Sequence, residues 1–313
     1  MVPETVNRVL ENMTRVIVGK RDVLELAVVA LLCEGHILIE DVPGIGKTTL
    51  AKALARSIGC SFSRIQCTPD LLPSDVTGIY FFDQKKSDFV FRAGPVMSNI
   101  VLVDEINRAT PRTQSSLLES MEERQVTVDG MTMPLPRPSV VIATQNPVEL
   151  QGTFPLPEAQ LDRFLLRLEI GYPSREEEDA MLLRFEKGSP LDALAEVATA
   201  EEVLRLKGLA QDVYVEQSVR SYLLEITGRT RTHPSVQLGA SPRASLALYK
   251  CAQAYALAKG RDYVLPDDVK KLAVPVLAHR LTLNTEAYFH KRSKEKVIEE
   301  ILGSIGIPLE EQS

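Results

Sequence analysis

Tryptophan is absent from the 313 residues, and the aromatic share is only 5%. Intrinsic fluorescence therefore rests on the eight tyrosines. The four cysteines, Cys33, Cys60, Cys67 and Cys251, form no CxxC pair, and the four histidines are too scattered to complete a zinc set with them. Reduced thiols in a cytoplasmic protein are expected. The most apolar window, residues 24–33, is about half the length that a membrane-spanning helix needs, which argues against membrane insertion and for a buried helix. Residues 1–10 carry Glu4, Asn7 and Arg8 and show no basic stretch followed by an apolar one, so no secretory leader is expected. Positive charge is not in excess either: 36 Lys and Arg face 42 Asp and Glu, a net charge of −6. A strong sequence-independent grip on nucleic acid, which takes clustered cations, is thereby disfavoured.

What is present is ordinary for a folded protein, with 44% hydrophobic and 25% charged residues. The length suits two domains. Up to residue 172, short apolar runs alternate with helical patterns, as in a parallel sheet flanked by helices. Strands are expected at 36–40, 61–67, 100–103, 140–144 and 164–170, with helices at 48–58 and 113–123. Continuous apolar runs of this kind fit strands buried on both faces. Beyond Pro173 and Ser174 the strand signals disappear. Helical spacing marks 175–185, 201–209, 216–229, 242–259 and 266–278, so 173–313 reads as a smaller all-helical domain after an α/β domain over 1–172. Two hairpins interrupt the first domain. One spans 78–95 with Phe81, Phe82, Phe89 and Phe91; the other spans 125–135 around Asp129-Gly130.

The run 36–40 leads into Asp41-Val42-Pro43-Gly44-Ile45-Gly46-Lys47-Thr48-Thr49 and then a helix, the order that a phosphate-binding P-loop requires. Gly44 and Gly46 let backbone amides from Gly44 and Ile45 through Thr49 turn inward around a phosphate, with the positive end of the helix behind them. Lys47 would reach the β and γ phosphates, and Thr48 would give its hydroxyl to Mg²⁺. The first position of the pattern GxxxxGK[ST] is Asp41 rather than glycine, and Asp tolerates such turns. The strand 100–103 ends in Asp104-Glu105, a Walker B pattern: Asp104 would hold Mg²⁺ through water, and Glu105 would polarise the attacking water. The strand 140–144 ends in Gln145-Asn146-Pro147, placing an amide where it could orient that water. No NKxD-type guanine-reading motif occurs, which favours ATP over GTP.

These strings, with Asp104-Glu105-Ile106-Asn107-Arg108-Ala109, the segment 156–164 and Gly239-Ala240-Ser241-Pro242-Arg243-Ala244, resemble the MoxR family of AAA+ ATPases over about residues 5–290. The resemblance implies an α/β AAA+ core followed by a helical lid, and Mg²⁺-dependent ATP hydrolysis in a homo-oligomeric ring. It also implies a protein client, such as one bearing a von Willebrand factor A domain. By the same resemblance Asn146 is sensor 1, Arg243 sensor 2 acting on its own subunit's nucleotide, and Arg163 an arginine finger offered to a neighbour. Val18 and Gly19 match the adenine-holding positions. Arg108 and Arg112 rival Arg163, which also has Asp162 and Glu158 nearby for a local ion pair. The alternatives are a slow or non-hydrolysing nucleotide switch, and a chelatase-type or nucleic-acid-remodelling motor.

Overall fold

The computed structural model describes residues 2–146, 152–186 and 188–307. The α/β part begins with α1 (Val2–Thr14) and α2 (Arg21–Leu32), then β1 (Ile37–Glu40), α3 (Lys47–Ser57) and β2 (Phe62–Gln66). A short α4 (Pro73–Thr77) leads into β3 (Gly78–Asp83) and β4 (Asp88–Ala93), followed by β5 (Ile100–Asp104) and α5 (Pro111–Glu123). After β6 (Gln125–Val128), β7 (Met131–Pro134) and β8 (Val140–Gln145) come α6 (Glu158–Leu161) and β9 (Leu166–Leu168). The five long-range strands form one parallel sheet in the order β2-β5-β8-β1-β9.

Alternation within the apolar runs explains why the sheet is covered twice. Ile37, Ile39, Ile100, Leu102, Val140 and Ile142 join one core on the side of α1, α2 and α3. Their neighbours Leu38, Val101, Val103, Val141 and Ala143 join a second core with Leu117, Leu118 and Met121 of α5. Side chains of successive strand residues point to opposite faces, so each run feeds both cores.

The two expected hairpins form as β3–β4 and β6–β7. Gly78 is required where it stands: its φ is 103° and an added Cβ would lie 2.4 Å from the Arg92 carbonyl oxygen. Asp129 and Gly130 both have positive φ, as a two-residue hairpin turn demands.

The remaining helices are α7 (Arg175–Phe185), α8 (Ala200–Gln211), α9 (Gln217–Thr232), α10 (Pro242–Ala258), α11 (Pro266–Leu277), α12 (Thr285–Phe289) and α13 (Lys294–Ser304). Ser174 and Thr199 cap α7 and α8 with reciprocal side-chain to backbone bonds. A two-stranded ribbon, β10 (Val236–Leu238) with β11 (Thr282–Leu283), adds strands where the sequence shows no sign of them; segments this short carry no readable alternation. One apolar cluster runs without a break from α1, α2 and α3 into α8–α11 and α13. Among the described residues no helix is long and apolar enough to cross a membrane.

Glu34, at the turn between α2 and β1, is fully buried with φ at 47°. Arg124 (2.9 Å), Arg137 (2.5 Å) and Lys207 converge on its carboxylate, tying the start of β1 to α5, the β7–β8 link and α8. Burial would raise its pKa, but hydrogen bonds from Arg137 and Lys207 and the charge of Arg124 hold it down at about 2. A depressed carboxylate stabilises the fold above its unfolded pKa and loses that contribution as pH falls toward the folded value. Because the cations are partly in water, Glu34→Gln is expected to cost about 2–3 kcal/mol at neutral pH, the low end for broken buried pairs. Chemical denaturation from pH 7 to pH 3 should show this gap narrowing below about pH 4.5, the carboxylate's ordinary range; a pH-independent gap would contradict the ion-pair account.

Candidate nucleotide site

The loop after β1 is shaped by glycine backbone geometry rather than by crowding. Gly44 and Gly46 have φ of 87° and 93°, and an added Cβ at either would meet nothing within 4 Å. Gly46 precedes α3, whose first residue is Lys47. Asp41 has a structural task that glycine could not perform. One carboxylate oxygen accepts the N–H groups of Ile170 and Gly171, both at 2.7 Å, and the other accepts that of Val42 at 2.9 Å. The loop is thereby tied to the chain leaving β9. Lys47 Nζ donates to the Asp41 carbonyl at 2.5 Å. Burial lowers the Lys47 pKa, while Asp41, Asp104 and Glu105 oppose that shift.

The strand order places β8 between β1 and β5, so the ends of all three meet. Asp104 is buried, and its two oxygens are held from different sides: Thr144 Oγ1 donates to Oδ1 at 3.0 Å, and Arg64 Nε donates to Oδ2 at 2.8 Å. The backbone N–H of Glu105 donates to the same Thr144 hydroxyl at 2.9 Å, and its φ of 56° turns the side chain out of the strand. Glu105 Oε2 takes Gln66 Nε2 at 3.1 Å and Arg108 Nε at 3.2 Å. Lys47, Thr48, Thr49, Asp104, Glu105 and Asn146 line one cavity of about 340 Å³, together with Arg64, Gln66 and Thr144. Pro147 lies outside the described residues. The oxygen-only set of Thr48 and Asp104 fits Mg²⁺ of the kind held mainly by phosphates and water. Arg64 is half exposed, so it can leave Asp104 Oδ2.

A more apolar cleft of about 390 Å³, lined in part by Ile45, adjoins this cavity and shares Pro43, Gly44, Gly46 and Thr49 with it. Val18 lines it, with Ile17, Tyr172, Met181 and Phe185. Gly19 is not in its wall but lets α7 pack close to it: with φ at 72°, an added Cβ would lie 1.7 Å from the Glu177 carboxylate of α7. Size and apolar walls suit a nucleobase. Tyr172, Met181, Phe185, Arg64, Gln66 and Thr144 went unread in the sequence because each acquires its place only through pairing or docking of distant elements.

Arg163 and Arg243 come together, but elsewhere. Arg163 Nε lies 3.0 Å from Glu122 Oε2, and Arg243 Nη1 lies 2.7 Å from Glu122 Oε1. Both line a third cavity that also holds His36, Glu34, Arg124 and Lys250. His36 sits just before β1, whereas the phosphate loop leaves the other end of that strand. Four residues of strand separate the ends by roughly 13 Å. Placement of Arg243 near the amino end of β1, outside the walls of the phosphate-loop cavity, is a feature of the fold. Its physical cause is the docking of α10: Ser241, the residue that caps this helix, donates to Asp162 Oδ2 at 2.9 Å, while buried Arg280 holds Asp162 Oδ1 at 2.7 Å. Of the rivals to Arg163, Arg108 is near Glu105, and Arg112 is exposed at the start of α5. Burial, chiefly, pushes the His36 pKa down to about 4, so this ring beneath the arginines is neutral.

Comparison with known proteins agrees with this geometry. The ATPase family associated with various cellular activities (AAA) matches residues 36–166, and the AAA lid domain matches 228–301. YeaC of Bacillus subtilis is 54% identical over 97% of this chain and 95% of its own length. Chaperone MoxR1 of Mycobacterium tuberculosis is 41% identical over 97% of this chain and 82% of its own. The crystal structure of a candidate ATPase from Cytophaga hutchinsonii superposes with a TM-score of 0.92 at 37% identity, covering 98% of this chain and 96% of that one.

The role given to Asp41 yields a prediction. Asn in its place keeps the size but offers only one acceptor oxygen to three N–H groups. Asp41→Asn should lower stability by about 1–3 kcal/mol, the cost of leaving such groups unpaired, and weaken binding of a fluorescent ADP. Denaturation and titration curves that overlay those of wild type would contradict this role.

Proposed function

Because the chain belongs to the MoxR family of AAA+ ATPases, we propose that it hydrolyses Mg²⁺-ATP in a homo-oligomeric ring in which each active site is shared by two subunits. The observation that carries this reading is the separation of Arg163 and Arg243 from the phosphate loop of their own chain. An arginine side chain does not cover a strand's length, which supports a role for these two at the γ phosphate of a neighbouring subunit.

In this reading the amides from Gly44 to Thr49 and the Lys47 ammonium cradle the phosphates, and the base enters the cleft beside Val18. Mg²⁺, held by the Thr48 hydroxyl and through water by Asp104, would offset charge on the β and γ phosphates. Glu105 exchanges its bonds to Gln66 and Arg108 for one to water, which it orients with Asn146 and relieves of a proton. The water oxygen bonds to the γ phosphorus as the bond to the ADP oxygen breaks. Arg163 and Arg243 of the adjacent subunit stabilise the charge spread over the transferring group.

The cycle would remodel or mature a protein client in the cytoplasm. The relative from Mycobacterium tuberculosis is named a chaperone, and a client with a von Willebrand factor A domain is the partner the family resemblance suggests. Phe82 and Phe89, exposed on the β3–β4 hairpin, are the aromatic surface such a client could meet. An inert nucleotide switch is the competing reading, disfavoured by the complete set of Lys47, Asp104, Glu105 and Asn146 in one cavity.

Phosphate release measured over a protein concentration series tests the shared site. Specific activity should rise with concentration and fall at least about 100-fold in Lys47→Ala, Glu105→Gln and Arg163→Ala. Mixing Lys47→Ala with Arg163→Ala should restore part of it. Activity independent of concentration with Arg163→Ala unimpaired would overturn the proposal, and wild-type turnover equal to that of Glu105→Gln would favour the switch.

A further inference from the structure

Glu122 stands where a helix alone would not put it. It lies in the last turn of α5, where the exposed carbonyl groups disfavour an anion and where the helix has no basic residue of its own. Its two carboxylate oxygens are divided between two guanidinium groups, Oε2 to Arg163 and Oε1 to Arg243. Arg163 comes from the turn before β9, and Arg243 from the first turn of α10. The carboxylate therefore bridges a loop of the sheet and a helix of the lid, and its charge leaves the pair of arginines with a net positive charge. Arg124, Lys250 and Arg280 border the same cavity, so an anion entering it meets several cations and two carboxylates, partly exposed Glu122 and fully buried Glu34, the latter already paired with Arg124.

We propose that Glu122 is a positioning residue that holds Arg163 and Arg243 at a fixed spacing as a single anion-binding unit presented to the terminal phosphate of the adjacent subunit; this rests on the shared-site reading above. Each guanidinium has several N–H donors and gives only one or two of them to Glu122, leaving the others for a phosphate oxygen. Without the bridge, two like charges on side chains with many rotamers would spread apart, and the ordering would have to be done at each turnover. The other end of α5 lies beside the Walker B strand, where Gln114 Nε2 donates to the Ile106 carbonyl at 3.2 Å. The bridge thus sits at the far end of a helix about 20 Å long whose first turns are hydrogen-bonded to the segment that follows Asp104-Glu105.

Glu122→Gln tests this assignment, because the amide keeps the size but puts N–H donors against a guanidinium. The expected result is a loss in kcat of roughly 10- to 100-fold, the scale of misplaced catalytic groups, with KM and the affinity for fluorescent ADP within about twofold of wild type. The sedimentation profile and melting curve should be those of wild type. Mixing Glu122→Gln with Lys47→Ala, which brings intact arginines but a dead phosphate loop, should raise activity above either protein alone; mixing it with Arg163→Ala should not. Glu122→Asp, too short to span both guanidinium groups, should be impaired in the same pattern and serves if the glutamine variant fails to fold. Wild-type kcat in Glu122→Gln alongside an inactive Arg163→Ala would overturn the assignment while leaving the shared site intact. A loss that Lys47→Ala does not relieve would also overturn it, since the fault would then lie in the subunit's own site. Full activity in Arg163→Ala would remove the shared site and this assignment together.

Discussion

The register of the three central strands is the constraint from which the nucleotide site follows. With β8 paired to β1 on one side and β5 on the other, Thr144 lies beside Asp104 and Glu105 while Ile39, its partner in β1, leads into the phosphate loop. One hydroxyl then serves two strands, donating to the Asp104 carboxylate and accepting the Glu105 amide. A slip of one residue would turn every side chain to the opposite face, exchange the contents of the two cores and dissolve this bridge. The two buried cores therefore fix the geometry of the candidate site as well as the stability of the sheet.

The same architecture divides the reactive groups between two ends of the molecule. Lys47, Thr48, Asp104, Glu105 and Asn146 gather at the carboxyl ends of the strands, where open α/β sheets bind ligands. Arg163 and Arg243 gather at the amino end of β1, held on Glu122, with Asp162 locked between Ser241 and buried Arg280. These are the two groups of residues that the proposed ring would bring together across a subunit boundary. Docking of α10 through Ser241 and Asp162 decides which way Arg243 faces.

Much of this was legible in the sequence, for identifiable reasons. Strands buried on both faces read as unbroken apolar runs, so β1, β5 and β8 could be placed closely, and Asp129-Gly130 announced a two-residue turn. Lys47, Thr48, Asp104 and Glu105 were readable because their chemistry is local to one loop or one strand end. Arg64, Gln66 and Thr144 were not, since they join the site only through strand pairing about 40 positions away. The pairing of Arg163 and Arg243 through Glu122 was hidden for the same reason, and so was the direction in which Arg243 points. Helix spacing locates an arginine on α10, but only the docking of that helix tells which end of the sheet it faces. Asp41 looked like a tolerated departure from glycine, and the three amides it binds could not be foreseen.

The central claim, that one chain supplies only half of each site, is tested most directly by determining the structure of the protein with Mg²⁺ and a non-hydrolysable ATP analogue by electron cryomicroscopy. The account predicts a closed ring in which the γ phosphate bound by Lys47 of one subunit is contacted by Arg163 and Arg243 of the next. A nucleotide-loaded particle in which Arg243 reaches the phosphate of its own chain, or in which no second subunit approaches the γ phosphate, would contradict it.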